Sequence, residues 1–251
     1  MPTRGDWEQR LAPFAPAPSE LIALRELSLR TDTKFVLPAA AAAAIVPRLA
    51  QDYALLGAGE VSIATYRTLY FDTVGLDLYH AQRRGFRVRH KARIRHYPDR
   101  GVSSLEIKTR RSELETVKTW RWRKDEHDDL DDDDQAFVRL HTGLQDDVHP
   151  QVWTAFRRVT LLGLQTEERV TVDLEFAVGA GPGTRTFRDL AILEVKQRPF
   201  RRDTPVMSAL RAARRRSGWM GKYFVAIALT RPEVPVGALR PGIRALERLV
   251  A

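Results

Sequence analysis

From residue 89 to residue 95 every second position is a strong cation: Arg89, Lys91, Arg93 and Arg95 alternate with His90, Ala92 and Ile94. In an extended chain, successive side chains point to opposite faces, so this segment presents one densely cationic wall and one mainly apolar wall. The same division recurs elsewhere. Glu106, Lys108 and Arg110 share a parity, with Leu105 and Ile107 between them. Arg169, Thr171, Asp173 and Glu175 alternate with Val170, Val172, Leu174 and Phe176. Glu194 and Lys196 face away from Leu193 and Val195, and Arg30, Asp32 and Lys34 form a further charged set. One such segment is accounted for by a sheet with one face in water. Five together are not, because solvated faces mix Ser, Thr, Gln and Lys, whereas these rows are dominated by Arg, Lys and carboxylates.

Two like charges 4 Å apart repel by about 4 kcal/mol at an effective dielectric of 20, so clustered cations call for a dense polyanion. A phosphate chain meets that demand, since Arg offers a planar fork of donors and Lys a compact charge. Carboxylates among the cations would repel phosphate unless a divalent metal joined the two. Mg²⁺ or Mn²⁺, hard ions that prefer oxygen, would do so through one or two carboxylates plus phosphate oxygens.

The elements that must position these rows follow from the same periodicity. Turn-separated period-two segments predict strands over residues 30–37, 66–72, 86–97, 103–110, 117–125, 152–161, 169–176 and 191–197. Eight strands are enough to close a barrel. With helices covering the apolar walls from outside, the charged walls would face a shared pore. The expected fold is therefore α+β, an antiparallel eight-stranded closed β-tunnel with helices packed outside. The inward face of 117–125 is left undecided, and Arg157 beside Arg158 leaves the parity there open. Helices are expected over 38–51, opened by Pro38 and strained at Pro47, over the basic stretch 204–217, and over 241–251. The acidic run 128–134 reads as a solvated loop leading into a short helix through Phe137 and Leu140. Residues 1–20, with prolines at 2, 13, 16 and 18, read as a mobile leader, 21–230 as one domain and 231–251 as a C-terminal extension.

Composition narrows the partners. A net charge of +9 in 251 residues attracts anions. The chain has no cysteine, which excludes disulfides, thiolate metal sites and cysteine nucleophiles. No stretch approaches the roughly 18 apolar residues of a membrane span, and a soluble, cytoplasmic protein is expected. Carboxylates interspersed with the cations, and the lack of an evident stacking platform, disfavour a nucleic-acid partner. The five tryptophans are assigned to packing, and the six histidines to surface or loop positions without metal-ligand spacing. Whether the basic stretch 204–217 meets an acidic membrane or a protein is left open.

The ordered set of motifs resembles the VTC domain, a family of the triphosphate tunnel metalloenzyme (CYTH-like) fold. It runs through Arg30-Thr31-Asp32-Thr33-Lys34-Phe35, Tyr66, Tyr70-Phe71-Asp72-Thr73 and Lys91-Ala92-Arg93-Ile94-Arg95-His96-Tyr97. It continues with Leu105-Glu106-Ile107-Lys108, Phe156 to Arg158, Arg169-Val170-Thr171-Val172-Asp173, Leu193-Glu194-Val195-Lys196 and Gly221-Lys222-Tyr223. The resemblance implies a tunnel that holds a triphosphate and, with Mn²⁺ or Mg²⁺, transfers the γ-phosphate of ATP to a growing polyphosphate chain. It implies phosphate contacts from Arg30, Lys34, Lys91, Arg93, Arg95, Lys108, Arg158, Arg169, Lys196 and Lys222. Arg93, Arg95, Lys108, Arg169 and Glu194 form the implied catalytic group, and Glu194 the metal ligand. Glu106 and Asp173 either join the metal side or hold neighbouring cations in place. The first strand offers Arg30, Asp32 and Lys34 where hydrolytic and cyclase relatives carry Glu-x-Glu-x-Lys, which disfavours a simple triphosphatase. Hydrolysis of an inorganic or organic triphosphate, and binding of polyphosphate or nucleotide without catalysis, are the alternatives.

Overall fold

A computed structural model describes residues 2–27, 30–57, 61–112, 115–123, 127–180, 183–218, 220–237 and 240–250. The strands are β1 (Thr31–Pro38), β2 (Tyr53–Leu55), β3 (Ala64–Asp72), β4 (Arg89–Tyr97), β5 (Val102–Arg110), β6 (Thr116–Arg123), β7 (His149–Gly163), β8 (Glu168–Ala180) and β9 (Gly183–Gln197). They form one antiparallel sheet in the order β1-β9-β8-β7-β3-β4-β5-β6, with β2 pairing β7. Each expected strand is present. The end of the strand expected over 117–125, residues 124 and 125, lies outside the described residues.

Helices α1 (Arg4–Leu11), α2 (Ser19–Leu24), α3 (Ala39–Ile45), α4 (Asp77–Arg83), α5 (Asp132–Thr142), α6 (Pro205–Ala212), α7 (Lys222–Thr230) and α8 (Arg240–Val250) complete the chain. The alanine run of α3 favours helix, and Pro47 turns its continuation into a single 3₁₀ turn, Val46–Leu49. In α5 the Asp131 side chain accepts from the Asp134 N–H, acidic residues fill the first turn, and Gly143 ends the helix at φ 74°.

The apolar walls are covered as expected. Phe35, Leu37, Val170, Val172, Leu193 and Val195 pack beneath α1, α3 and α6. Ala92, Ile94, Leu105 and Ile107 pack with Val138 of α5. Burying each such side chain contributes about 1.5–3 kcal/mol, which makes the outward orientation of these rows hard to reverse. Among the described residues no helix is long and apolar enough to cross a membrane.

Several expectations are corrected. The segment expected as a mobile leader carries α1, opened by a reciprocal Thr3–Asp6 cap, and its Trp7, Leu11 and Phe14 are buried in the main core. The prolines that suggested disorder lie outside that helix. The sheet is curled but not closed by hydrogen bonds, since no β1–β6 pairing occurs among the described residues. Instead the Gly218 N–H donates to the Lys34 carbonyl at 2.9 Å, so the segment leading into α7 occupies the free edge of β1. Nor do all helices lie outside. Helix α7 packs on the inner face, where Tyr223, Phe224 and Ile227 meet Tyr70, Val152, Phe156, Phe176 and Ile192. The apolar residues at this end of the inner face make a seat for a helix rather than for water.

His96 is also corrected. It sits buried on β4, bonded to Ser103 at 2.7 Å and to Asp128 at 2.9 Å, so part of the expected solvated acidic run reaches back to the sheet. Asp134, buried to 2% exposure, likewise binds Arg121 and Arg123.

Candidate functional site

Register places the charged rows on one concave face. Arg93 stands opposite Glu106 and Tyr70, Arg95 opposite Ser104 and Thr68, and Lys91 opposite Lys108, which in turn faces Lys118. On the far side Arg158 pairs with Asp173, Arg169 with Lys196, and Glu194 with Lys34. Two open parities are thereby decided. Arg158 points inward while Arg157 meets Glu175 at 3.3 Å on the other side. On β6 Arg121 and Arg123 are drawn outward by Asp134, so Lys118, Trp120 and Trp122 belong to the inner face. One parity is broken: a register shift after Leu174, with Glu175 at φ 51°, turns Phe176 inward and takes Glu175 out of the row of Arg169, Thr171 and Asp173.

Each inner carboxylate is engaged by more than one cation. Glu106, fully buried, accepts from Arg93 Nε at 2.7 Å, lies 2.7 Å from Lys118 Nζ, and also accepts from Tyr97 and Ser104. Burial works against its charge, but Arg93, Arg95 and Lys118 hold its carboxyl well below the usual range. Asp173 binds Arg158 through Nε at 2.5 Å and Nη2 at 2.8 Å, and Lys222 of α7 closes on the same carboxylate. Its carboxyl too is held low, burial being outweighed by Arg158 and Lys222. Glu194 lies 2.8 Å from Lys34 and in contact with Lys196, and these two keep it ionised against its burial. Asp32 accepts from Arg30 at 2.9 Å and is 3.8 Å from Lys196.

Other cations lack such partners. Lys91, Lys108 and Arg169 make no ion pair among the described residues. Burial and the neighbouring Lys108 and Lys34 push the Lys91 amine well down. Burial and Lys196 lower Lys108 to about 8. Burial and Arg158 lower Arg169. Lys91 leans on the Phe224 ring at 4.5 Å, while Arg158 lies 5.1 Å from the Tyr66 ring.

Between the β1 and β6 edges lies a cavity of about 560 Å³, lined among others by Arg30, Lys34, Lys91, Lys108, Arg110 and Thr116. Arg30, Lys34, Lys91 and Lys108 thus meet at the cavity, while Arg93, Arg95, Arg158, Arg169, Lys196, Lys222 and Glu194 lie on the same face outside its lining, Glu194 and Lys196 reaching its rim through Lys34 and Asp32. Sequence reasoning missed Gln82, Gly218 and Met220, which also line it. No alternation marks them, because turns and helix ends bring them there.

No group of three His, Asp or Glu among the described residues is arranged to hold a metal by itself. That donor set still fits Mg²⁺ or Mn²⁺, which are bound through one or two carboxylates completed by substrate phosphate oxygens. Glu194 is met on Oε1 by Lys34 and on Oε2 by Lys196, so a divalent ion there would displace or share with a lysine amine. The oxygens of Glu106 and Asp173 are taken up by Arg, Lys and hydroxyl donors.

A family model described as the VTC domain matches residues 29–231. No curated protein matches the chain. Similar solved structures include a Bacillus halodurans protein assigned as a candidate adenylate cyclase, at 10% identity, covering 77% of this chain and 94% of that one with a TM-score of 0.46. HpAC1 from Hippeastrum, described as having a dominant triphosphatase activity, is 15% identical over 83% of this chain and 99% of that one, also with a TM-score of 0.46. The PH1012 protein of Pyrococcus horikoshii OT3 is 14% identical over 74% of this chain and 88% of that one, with a TM-score of 0.40.

Proposed function

Since this chain belongs to the VTC domain family, we propose that its concave ionic face binds a nucleoside triphosphate and transfers the γ-phosphate to a growing polyphosphate chain. One observation carries the reading: the inner carboxylates are each held by cations, yet Lys91, Lys108 and Arg169 still lack a counterion among the described residues. A face built this way is balanced only when a polyanion lies on it.

Phosphoryl transfer passes through a loose transition state and depends on alignment and charge stabilisation rather than on a protein nucleophile. Arg93 and Arg158 are pre-set by Glu106 and Asp173, so their guanidinium groups need little reorganisation to meet phosphate oxygens. Lys91 and Lys108 at the cavity, with Lys34 and Arg30 on the opposite edge, hold the chain of phosphates from two sides. Arg95, Arg169, Lys196 and Lys222 extend the contacts along the same face. A terminal oxygen of bound phosphate or polyphosphate attacks the γ-phosphorus; the bond to the bridging β,γ-oxygen breaks, and the diphosphate leaves with that oxygen. A divalent ion held by Glu194 together with phosphate oxygens would neutralise charge on the transferring group.

Incubation of the folded protein with ATP and Mn²⁺, followed by gel analysis, tests the reading. Chain growth is expected, and its loss in Lys108→Met. Release of free phosphate without chain growth would assign hydrolysis instead, and tight binding without turnover would assign a binding module.

A further inference from the structure

The inner face of β6 carries an aromatic pair that the phosphate reading does not use. Trp120 and Trp122 are 45% and 57% exposed, the outward arginines of the same strand being pinned to Asp134 behind it. Their rings meet edge to face at 4.9 Å and 72°, Lys118 Nζ lies 5.6 Å from the Trp120 ring centroid, and Tyr97 adds a third ring 6.1 Å from Trp122. The row is continuous with the cations. Along β6 the inner residues run Thr116, Lys118, Trp120 and Trp122, and Thr116 lines the cavity. Lys118 faces Lys108 across the strands, Trp120 faces Glu106, and Trp122 faces Ser104 beside Arg95. Two residues of strand rise by about 7 Å, so Trp120 stands one such step from Lys118 and Trp122 two.

A ligand that satisfies this wall has a polyanionic end for Lys91, Lys108 and Lys118 and a flat aromatic end for the tryptophans. We propose that Trp120 and Trp122 form a base-stacking platform at the mouth of the tunnel, which makes this site select nucleoside triphosphates over inorganic polyphosphates of the same charge. The proposal rests on the triphosphate reading of the same face and adds the residues that recognise the donor's base. Stacking is tolerant of base identity, since every base has a π-face, so discrimination among ATP, GTP and CTP at this platform is small.

The experiment compares the affinities of ATP and inorganic tripolyphosphate for the wild type, Trp120→Ala/Trp122→Ala and Trp120→Phe/Trp122→Phe by titration calorimetry. Both residues lie on an edge strand with their rings in solvent, so the fold should survive, and circular dichroism checks it. The expected result is a loss of about 5- to 100-fold in ATP affinity for the alanine pair, recovered in large part by the phenylalanine pair. Tripolyphosphate affinity stays within about two-fold in all three proteins. Equal loss for both ligands, or no loss for ATP, overturns the platform, as does a wild-type dimer that the alanine pair converts to monomer. A wild type that binds neither ligand overturns the triphosphate reading itself, which separates the two failures.

Discussion

Lys108 lies between Lys91 and Lys118 in the register and is lowered from its ordinary 10.5 to about 8 by burial and by Lys196. In the unfolded chain the amine titrates at its ordinary value, so between about 8 and 10.5 the unfolded state binds more protons. Stability of the ligand-free protein should therefore rise with pH across that window, as the repelled proton is released from the fold. Urea denaturation at a series of pH values checks this, and Lys108→Met should rise less. A bound phosphate chain favours the charged amine, so binding of tripolyphosphate at pH 8.5 should take up protons. Calorimetry in buffers of different ionisation enthalpy reads that uptake. Glu106 carries the opposite expectation. Glu106→Gln leaves Arg93 and Lys118 without their buried counterion and should cost about 3–5 kcal/mol of stability. Added tripolyphosphate should restore more stability to this variant than it adds to the wild type, because it supplies the missing negative charge. The alternation that marked Arg93, Lys108 and Glu194 is a local property of the chain. That Glu106 and Asp173 would hold Arg93, Lys118, Arg158 and Lys222 is not local, because these pairs form between different strands and a helix.

At the scale of elements, β6 and α7 decide what the site can do. The face of β6 could not be read from parity, because Lys118, Arg121 and Arg123 place cations on both sides. The choice is made by Asp134, whose position in the first turn of α5 puts a buried carboxylate behind the strand. Asp134→Ala should lower stability by about 3 kcal/mol, near the low end for breaking a buried pair. It should also weaken ATP binding, through the release of β6, more than the same loss of stability does elsewhere. Comparison with a core variant of similar cost away from β6, such as Leu161→Ala at about 2–5 kcal/mol, separates the two effects. Helix α7 was legible only as the motif Gly221-Lys222-Tyr223, and its place inside the sheet was not. Tyr223 donates to Asp72 at 2.5 Å, and the same carboxylate accepts the N–H groups of Leu78 and Tyr79 at the start of α4. Tyr223→Phe removes one of those bonds and should cost about 1–2 kcal/mol in urea unfolding while leaving Lys222 near Asp173. The β8–β9 hairpin ran well beyond the expected strands because residues 177–190 are rich in Gly, Arg and Thr and lack clean alternation. Pairing along the hairpin, not local pattern, holds residues 177–180 and 183–190 extended.

The whole molecule carries a net charge of +9, and much of that excess is gathered on one concave face. A saturating polyanion should therefore stabilise the fold. At a hundred times its dissociation constant, tripolyphosphate should add about 2.7 kcal/mol, or about 5–10 °C in Tm for a chain of this size. The shift should shrink as added salt screens the more open cations. What the amino-acid sequence determined by itself was the period-two rhythm, and with it which side chains of each strand are ionic and which apolar. That rhythm is set by backbone geometry within a strand and by the large free energy of burying the apolar rows, so it survives any arrangement of neighbours. Only the tertiary structure decided that the ionic rows curl toward one another, that no β1–β6 pairing forms among the described residues, and that α7 enters from within. Those outcomes depend on register, on one bulge at Glu175 and on counterions far apart in the chain, which no local pattern encodes.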